Sequence, residues 1–300
     1  MGELVLKFLL GICLVIANHG GPLLAQKQAS SCSECPEWNR SQKPFRVFGN
    51  TYYVGPHGLS SVLITSDKGH VLIDGALPES AEQIAAHIKA LGFRIEDVKL
   101  ILNSHVHYDH AGGIAELQRL SGARVVASPW SAAVLRSGQP GRGDPQYQGG
   151  HKIAPVQNVH EFHDGATFDI GSIPITAHLT PGHTPGGTSW TWRSCEGQVC
   201  RNLVYADSLS PVSSGDFHFL HSSDYPHVLD DFEKSFHFLE TTPCDILITP
   251  HPGTSGLWER LADRDKGVTP DPMVNSNACR ALAEDSRANL RQRLNQESNK

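Results

Sequence analysis

"LILNSHVHYDHAGGI", residues 100–114, places three histidines and an aspartate within six positions: His105, His107, Asp109 and His110. Burying so many polar groups together is costly unless something pairs with them. The residues before them, "VKLILNS" (98–104), form a nearly continuous apolar run, as a strand buried on both faces does. The residues after them, "GGIAELQRLSG" (112–122), have helical spacing and end on Gly122. The polar cluster therefore lies on a strand-to-helix loop, where function concentrates in sheet proteins.

The surrounding pattern repeats this alternation. "FRVFGNTYYVG" (45–55) is rich in β-branched and aromatic residues. "SSVLITS" (60–66) and "HVLIDG" (70–75) are apolar runs split by "DKG", a hairpin signal. "PESAEQIAAHIKALG" (78–92) has Ala81, Ile84, Ala85, Ile88 and Leu91 at helical spacing, with Pro78 near its start and Gly92 past its end. "ARVVAS" (123–128) is a strand, and residues 137–158, rich in Gly, Pro and Gln, are a long loop. Further strands are expected near 173–179, 188–193, 202–206 and 245–250, with helices near 227–241 and from about 275. The fold class is α/β, with two sheets, outer helices and a groove that takes the loops.

Bulk composition suits an ordinary globular chain: 300 residues, 39% hydrophobic and 19% charged. A net charge of −6 and the lack of a basic run argue against a nucleic-acid partner. The apolar stretch "FLLGICLVIA" (8–17) follows Lys7 and is too short to span a membrane, so residues 1–25 read as an export signal ending at Ala25. Residues 26–44 then form a polar leader and 45–300 one domain. Export implies a periplasmic protein, with no membrane association beyond the signal; monomer is the default. Beyond Cys13, six cysteines remain, an even number that suggests disulfides in an exported chain. Cys195 and Cys200 flank the short loop "EGQV"; Cys244 and Cys279 then pair across a long loop, contributing ~4 kcal/mol on loop-entropy grounds. Cys32 and Cys35 either bridge each other or stay free.

Imidazoles suit zinc and a carboxylate adds neutralising charge. Four ligands on one turn exceed what a single tetrahedral site would take while keeping a position open for chemistry, so two adjacent metals fit better. Two isolated histidines occupy matching strand-end positions: His183 in "ITAHLTPGHTPGG" (175–187) and His251 in "DILITPHPG" (245–253). His178 lies inside a strand pattern and reads as structural. Trp190 and Trp192 alternate on one strand and read as packing residues.

"HVHYDH", then "PGHT", then a late strand-end histidine resembles the metallo-β-lactamase superfamily, from about residue 45 to 297. "SHVHYDHAGG", "TPGHTPGGTSWTW", "VYADSLSP" and "PCDILITPHPG" resemble class B, subclass 3 most closely. That resemblance implies an αββα four-layer sandwich with metals in the groove between the sheets. It implies two Zn2+ per chain, one on His105, His107 and His183 and one on Asp109, His110 and His251. Asp109 would also act catalytically by orienting the nucleophile. Ser208 stands where another subclass has a cysteine ligand. The implied activity is hydrolysis of the β-lactam amide bond of penicillins, cephalosporins and carbapenems by a metal-bound hydroxide, giving antibiotic resistance. Ser208 and Ser210 would bind the substrate carboxylate and Gln146, in "GDPQY", would touch the substrate. The alternative is a glyoxalase-II-like thioesterase or a lactonase, in which Asp207 would bridge the metals.

Overall fold

The computed structural model describes residues 1–2, 32–171 and 173–299. The expected signal peptide, Cys13 and most of the leader lie outside the described residues. A compact unit spans Glu34–Lys300, so residues 34–44, read from sequence as leader, belong to it. Among the described residues no helix is long and apolar enough to cross a membrane.

After α1 (Cys35–Trp38) come β1 (Phe45–Phe48), β2 (Thr51–Tyr53), β3 (Val62–Ser66) and β4 (Gly69–Ile73). Then follow α2 (Ala81–Ala90), β5 (Val98–Leu102), α3 (Tyr108–Ala111), α4 (Ile114–Ser121), β6 (Arg124–Ala127), α5 (Pro129–Ser137) and β7 (Val159–Glu161). These seven strands form one sheet in sequential order, antiparallel from β1 to β4 and parallel from β4 to β7. The second half supplies β8 (Thr167–Ile170), β9 (Ile173–Leu179), β10 (Thr188–Glu196), β11 (Val199–Tyr205), α6 (Val228–Thr241), β12 (Ile246–Ile248), α7 (Leu257–Asp265) and α8 (Ala278–Ser298). Its five strands form a second sheet in the order β12-β11-β10-β9-β8.

Side-chain alternation explains the layering. Val62, Ile64, Val71, Ile73, Leu100 and Leu102 from the first sheet share one core with Ile175, Ala177, Trp190, Trp192, Leu203 and Tyr205 from the second. The opposite face of the first sheet presents Leu63, Leu72 and Ile101, which are also fully buried, on the side that α2, α4 and α5 cover. On the second sheet Val204 and Leu247 point outward into a separate core with Phe232, Phe236 and Leu239 of α6 and Leu282, Ala283 and Leu290 of α8. Spacing of three and four along both helices makes those stripes. The result is the αββα sandwich that the resemblance implied.

Most of the expected elements are present within a few residues. The helix α5 was not anticipated, although Ser128 caps it, accepting from the Ser131 N–H, and Pro129 opens it. The helical turn α3 begins at Tyr108, not near Gly112, so Asp109 and His110 lie on a helix rather than a plain loop. Cys195 and Cys200 face each other across β10 and β11 and are disulfide-bonded. Cys244 is bonded to Cys279, fixing the start of α8 to the segment before β12. Cys32 and Cys35 are disulfide-bonded too.

Trp190 is fully buried between the sheets and its indole N–H donates to the Asn103 carbonyl at 3.1 Å. Trp190→Ala should lower stability by about 3–5 kcal/mol through the cavity it leaves. Trp190→Phe should cost ~1–3 kcal/mol, because it strands that carbonyl without its donor. Urea unfolding midpoints check both; wild-type midpoints would contradict this account of the core.

Candidate metal centre

The turn 103–113 is held by the segment after the neighbouring strand β4. Asp74 is buried, and its carboxylate accepts the Ser104 N–H (2.7 Å), the Ser104 hydroxyl (2.6 Å), the Tyr205 hydroxyl (2.8 Å) and the Asn103 amide (3.2 Å). Burial pushes its pKa up to about 6 even though these donors and the charge of His110 pull it down. Next along the chain, the Gly75 N–H donates to the His110 carbonyl at 2.8 Å, and the Gly113 N–H to the Ala76 carbonyl at 3.1 Å. Asp74 and Ala76 both adopt positive φ, 61° and 52°. Such strain, of order 1–3 kcal/mol for each residue, persists where the surroundings impose it. Sequence reading passed over Asp74; its signal was an acid in "LIDG" where an apolar strand ends.

His105, His107 and His183 converge, one ligand atom of each lying within 4.8 Å of the others. Their rings stand 4.7–4.9 Å apart, centroid to centroid. His183 comes from the turn after β9, where Gly182 has φ +134° and a Cβ would meet the Phe232 ring at 2.7 Å. Each imidazole engages one nitrogen away from the cluster. The His105 Nδ1–H donates to Asp207 at 2.7 Å, leaving Nε2 buried without a hydrogen-bond partner. The His183 Nδ1–H donates to the Ser210 carbonyl at 2.8 Å. The His107 Nε2–H lies 2.9 Å from Asp144. The nitrogens left to face one another are Nε2, Nε2 and Nδ1. Burial first, then the charges of neighbouring histidines, hold His105 well below its ordinary pKa and His183 down to about 3. Both are therefore neutral at pH 7, with a lone pair to offer.

Asp109, His110 and His251 form a second group with the same spacing. The Asp109 Oδ2 lies 3.1 Å from the His110 Nε2 and 3.2 Å from the His251 Nε2. The His110 Nε2 nevertheless makes no aligned hydrogen bond. Three ligand atoms facing a common point produce this close, misaligned approach. Burial alone would raise the Asp109 pKa, but the charges of His110 and His251 directly against it hold it well below normal. His251 follows β12, is one-third exposed and packs against the Trp38 ring at 5.2 Å. The two groups adjoin, with the rings of His105 and His110 4.4 Å apart. A buried polar atom without a partner costs ~1–3 kcal/mol. Converging imidazole nitrogens, some of them orphaned, and a carboxylate held in its ionised form are a donor set that fits divalent metal at both groups.

Asp207 is in neither group. Its Oδ1 serves His105, and burial pushes its pKa up to about 7 against the lowering charge of His183. Ser208, half-buried, lines a cleft of about 340 Å³ with Asp207, Ser210 and His251 on one side and Asn289 of α8 on the other. Ser210 is exposed; besides its carbonyl, its Oγ stands 3.3 Å from the His183 Nδ1. The Gln146 amide nitrogen is 3.5 Å from the His107 Nδ1, so the long loop does reach the first group. Trp190 and Trp192 are core residues, and His178 bonds Thr191 within the sheet at 2.9 Å. Asp144 and Trp38 went unnoticed in the sequence; an acid two positions before Gln146 and an aromatic after "CPE" carry no local signal.

The family model of the metallo-beta-lactamase superfamily matches residues 54–274. The structure is similar to the Rm3 metallo-beta-lactamase, with TM-score 0.87 and 57% identity, covering 89% of this chain and 99% of that one. It is also similar to MEM-A1, a subclass B3 metallo-beta-lactamase isolated from a soil metagenome library, with TM-score 0.85, 50% identity and coverage of 87% and 98%. Among curated proteins, hydroxyacylglutathione hydrolase of Anaeromyxobacter dehalogenans (strain 2CP-C) is 29% identical over 130 residues, 43% of this chain. The chain spans only 40% of that enzyme's length. At such identity, over nearly the whole of the two solved chains, the protein belongs to the metallo-β-lactamase superfamily, within its subclass B3.

Proposed function

We propose that this chain is a periplasmic zinc hydrolase that opens the β-lactam amide bond of antibiotics and so confers resistance. His105, His107 and His183 would hold one zinc, and Asp109, His110 and His251 the second. The observation that supports this most directly is the convergence of six ligand atoms into two adjoining groups, with buried imidazole nitrogens left unpartnered. Its solved subclass B3 relatives, matched almost end to end, support the substrate class. The working unit is a monomer, exported by residues 1–25, and its partner is the small-molecule lactam.

Bound zinc would supply a nucleophile from water at neutral pH and Lewis-acid stabilisation of the charge that develops on the opened amide. The chain's own residues prepare for this. Asp207, Asp144 and the Ser210 carbonyl each take one imidazole N–H and so set which nitrogen of each histidine faces inward. Asp109, ionised at neutral pH, offers an oxygen that can orient an attacking water through a hydrogen bond. Ser208 and Ser210, on the cleft beside His251, would donate to the substrate carboxylate. The Gln146 amide, beside the ligand face of His107, would meet the opposite part of the substrate.

Zinc-loaded protein should turn over a chromogenic cephalosporin and lose that activity to EDTA. No turnover by loaded protein, or turnover that survives full chelation, would contradict the reading. His183→Ala should abolish activity while its far-UV circular dichroism stays native.

Asp207→Asn separates lactamase from the thioesterase alternative. An orienting partner of His105 should weaken zinc binding by ~10–100-fold and leave two zincs per chain at saturation. Elemental analysis showing the loss of one zinc would instead mean that Asp207 bridges the metals.

A further inference from the structure

The loop 138–158 reaches the first histidine group at two points, Asp144 and Gln146. Asp144 is only 6% exposed. Its Oδ2 lies 2.9 Å and its Oδ1 3.2 Å from the His107 Nε2. The same Oδ1 accepts the Gln146 backbone N–H at 2.8 Å, and the Asp144 carbonyl accepts the Tyr147 N–H at 2.9 Å. One carboxylate is thus bonded both to a candidate ligand and to the backbone of the residue that faces that ligand's other nitrogen. Loop and protein are joined on the far side too, where the Ser214 N–H donates to the Pro145 carbonyl at 3.0 Å and the Ser214 Oγ accepts the Gly149 N–H at 2.9 Å. The segment that carries Ser208 and Ser210 runs on into Ser214, so this loop and the serine-bearing strand end are tied together.

We propose that Asp144 is a positioning residue with two linked tasks: it holds the His107 ring so that Nδ1 faces the metal, and it sets the distance of Gln146 from that nitrogen. The inference rests on the reading of His105, His107 and His183 as a zinc site, and it adds a coupling that the ligand set alone does not contain. If Asp144 fails to bond Nε2, the imidazole is free to rotate or to place its proton on Nδ1, which cannot then bind metal. The same failure releases the Gln146 backbone. Zinc affinity at the first site and the Michaelis constant for a lactam should therefore change together.

Zinc affinity of the full-length protein is measured by competition with a chromophoric chelator. Asp144→Asn keeps the volume and an acceptor oxygen but loses the charge, and should bind one of the two zincs ~10-fold more weakly. Asp144→Ala should weaken the same zinc by ~100-fold and leave the other unchanged. Asp144→Glu should recover part of the loss. Nitrogen-15 spectra of histidine-labelled, zinc-loaded protein should show the His107 Nε2–H slowly exchanging in wild type and exposed to exchange in Asp144→Ala, a change that a purely packing role would not produce. In zinc-saturated Asp144→Asn, KM should rise more than kcat falls. Wild-type zinc affinity in both the Asn and Ala variants would overturn the proposal while leaving the lactamase reading intact. A wild-type chain that takes up no zinc would overturn both. Should Asp144→Ala fail to fold, the isosteric Asn variant still decides.

Discussion

Four hydrogen-bond donors from two parts of the chain converge on one buried carboxylate, Asp74. Ser104 contributes its backbone and hydroxyl, Asn103 its amide and Tyr205 its phenol. Ser104 stands immediately before the histidine-rich turn, and Tyr205 ends the strand that leads to Asp207. A single acceptor therefore registers the first sheet, the second sheet and the candidate metal turn against one another. Removing the carboxylate would strand several buried donors at once, a loss that is larger than any of its hydrogen bonds taken alone. The positive φ of Asp74 is tolerable because this network imposes it.

From that anchor the two metal groups become a product of the sandwich rather than of the turn. His105, His107, Asp109 and His110 follow the central strand β5, while His183 and His251 follow β9 and β12 of the other sheet. The shared core of Trp190, Tyr205, Ile73 and Leu102, together with the Asp74 network, brings those strand ends together. Each histidine of the first group is then oriented by a different segment: His105 by Asp207 after β11, His183 by Ser210 further along, and His107 by Asp144 in the long loop. The centre thus depends on loops carried by a rigid scaffold, a common arrangement in sheet enzymes.

Much of this was legible in the sequence because the relevant signals are local. The apolar run 98–102 and the helical spacing of 114–121 bracket the turn, and strand-end placement singles out His183 and His251. The cysteine pairs Cys195–Cys200 and Cys244–Cys279 could be read from their order along the chain. Other features were not legible because their signal is relational. Asp144 is an ordinary loop acid until folding sets it 2.9 Å from His107. Asp207 has the same one-letter code whether it would bridge metals or orient a histidine, and its Oδ1 comes to lie 2.7 Å from the His105 Nδ1 only through folding. The turn α3 was read as irregular because four residues are too few to show a helical period, and it is held in place by contacts from Gly75 and Ala76 that lie more than thirty positions earlier in the chain.

The charges around the centre explain why such a site can exist inside a protein. Asp74, Asp109, Asp144 and Asp207 are all largely buried, and burial alone disfavours each carboxylate. Asp109 and Asp144 remain below their ordinary pKa because histidines stand directly against them, whereas Asp74 and Asp207 rise to about 6 and about 7. An interior that gathers four carboxylates around converging imidazole nitrogens suits a cation at its centre. Divalent cations on the two groups would offset the cost of burying these carboxylates, so the proposed zincs would strengthen the fold as well as enable chemistry. Ligands drawn from residues 105 to 251 would make that stabilisation extend across both sheets.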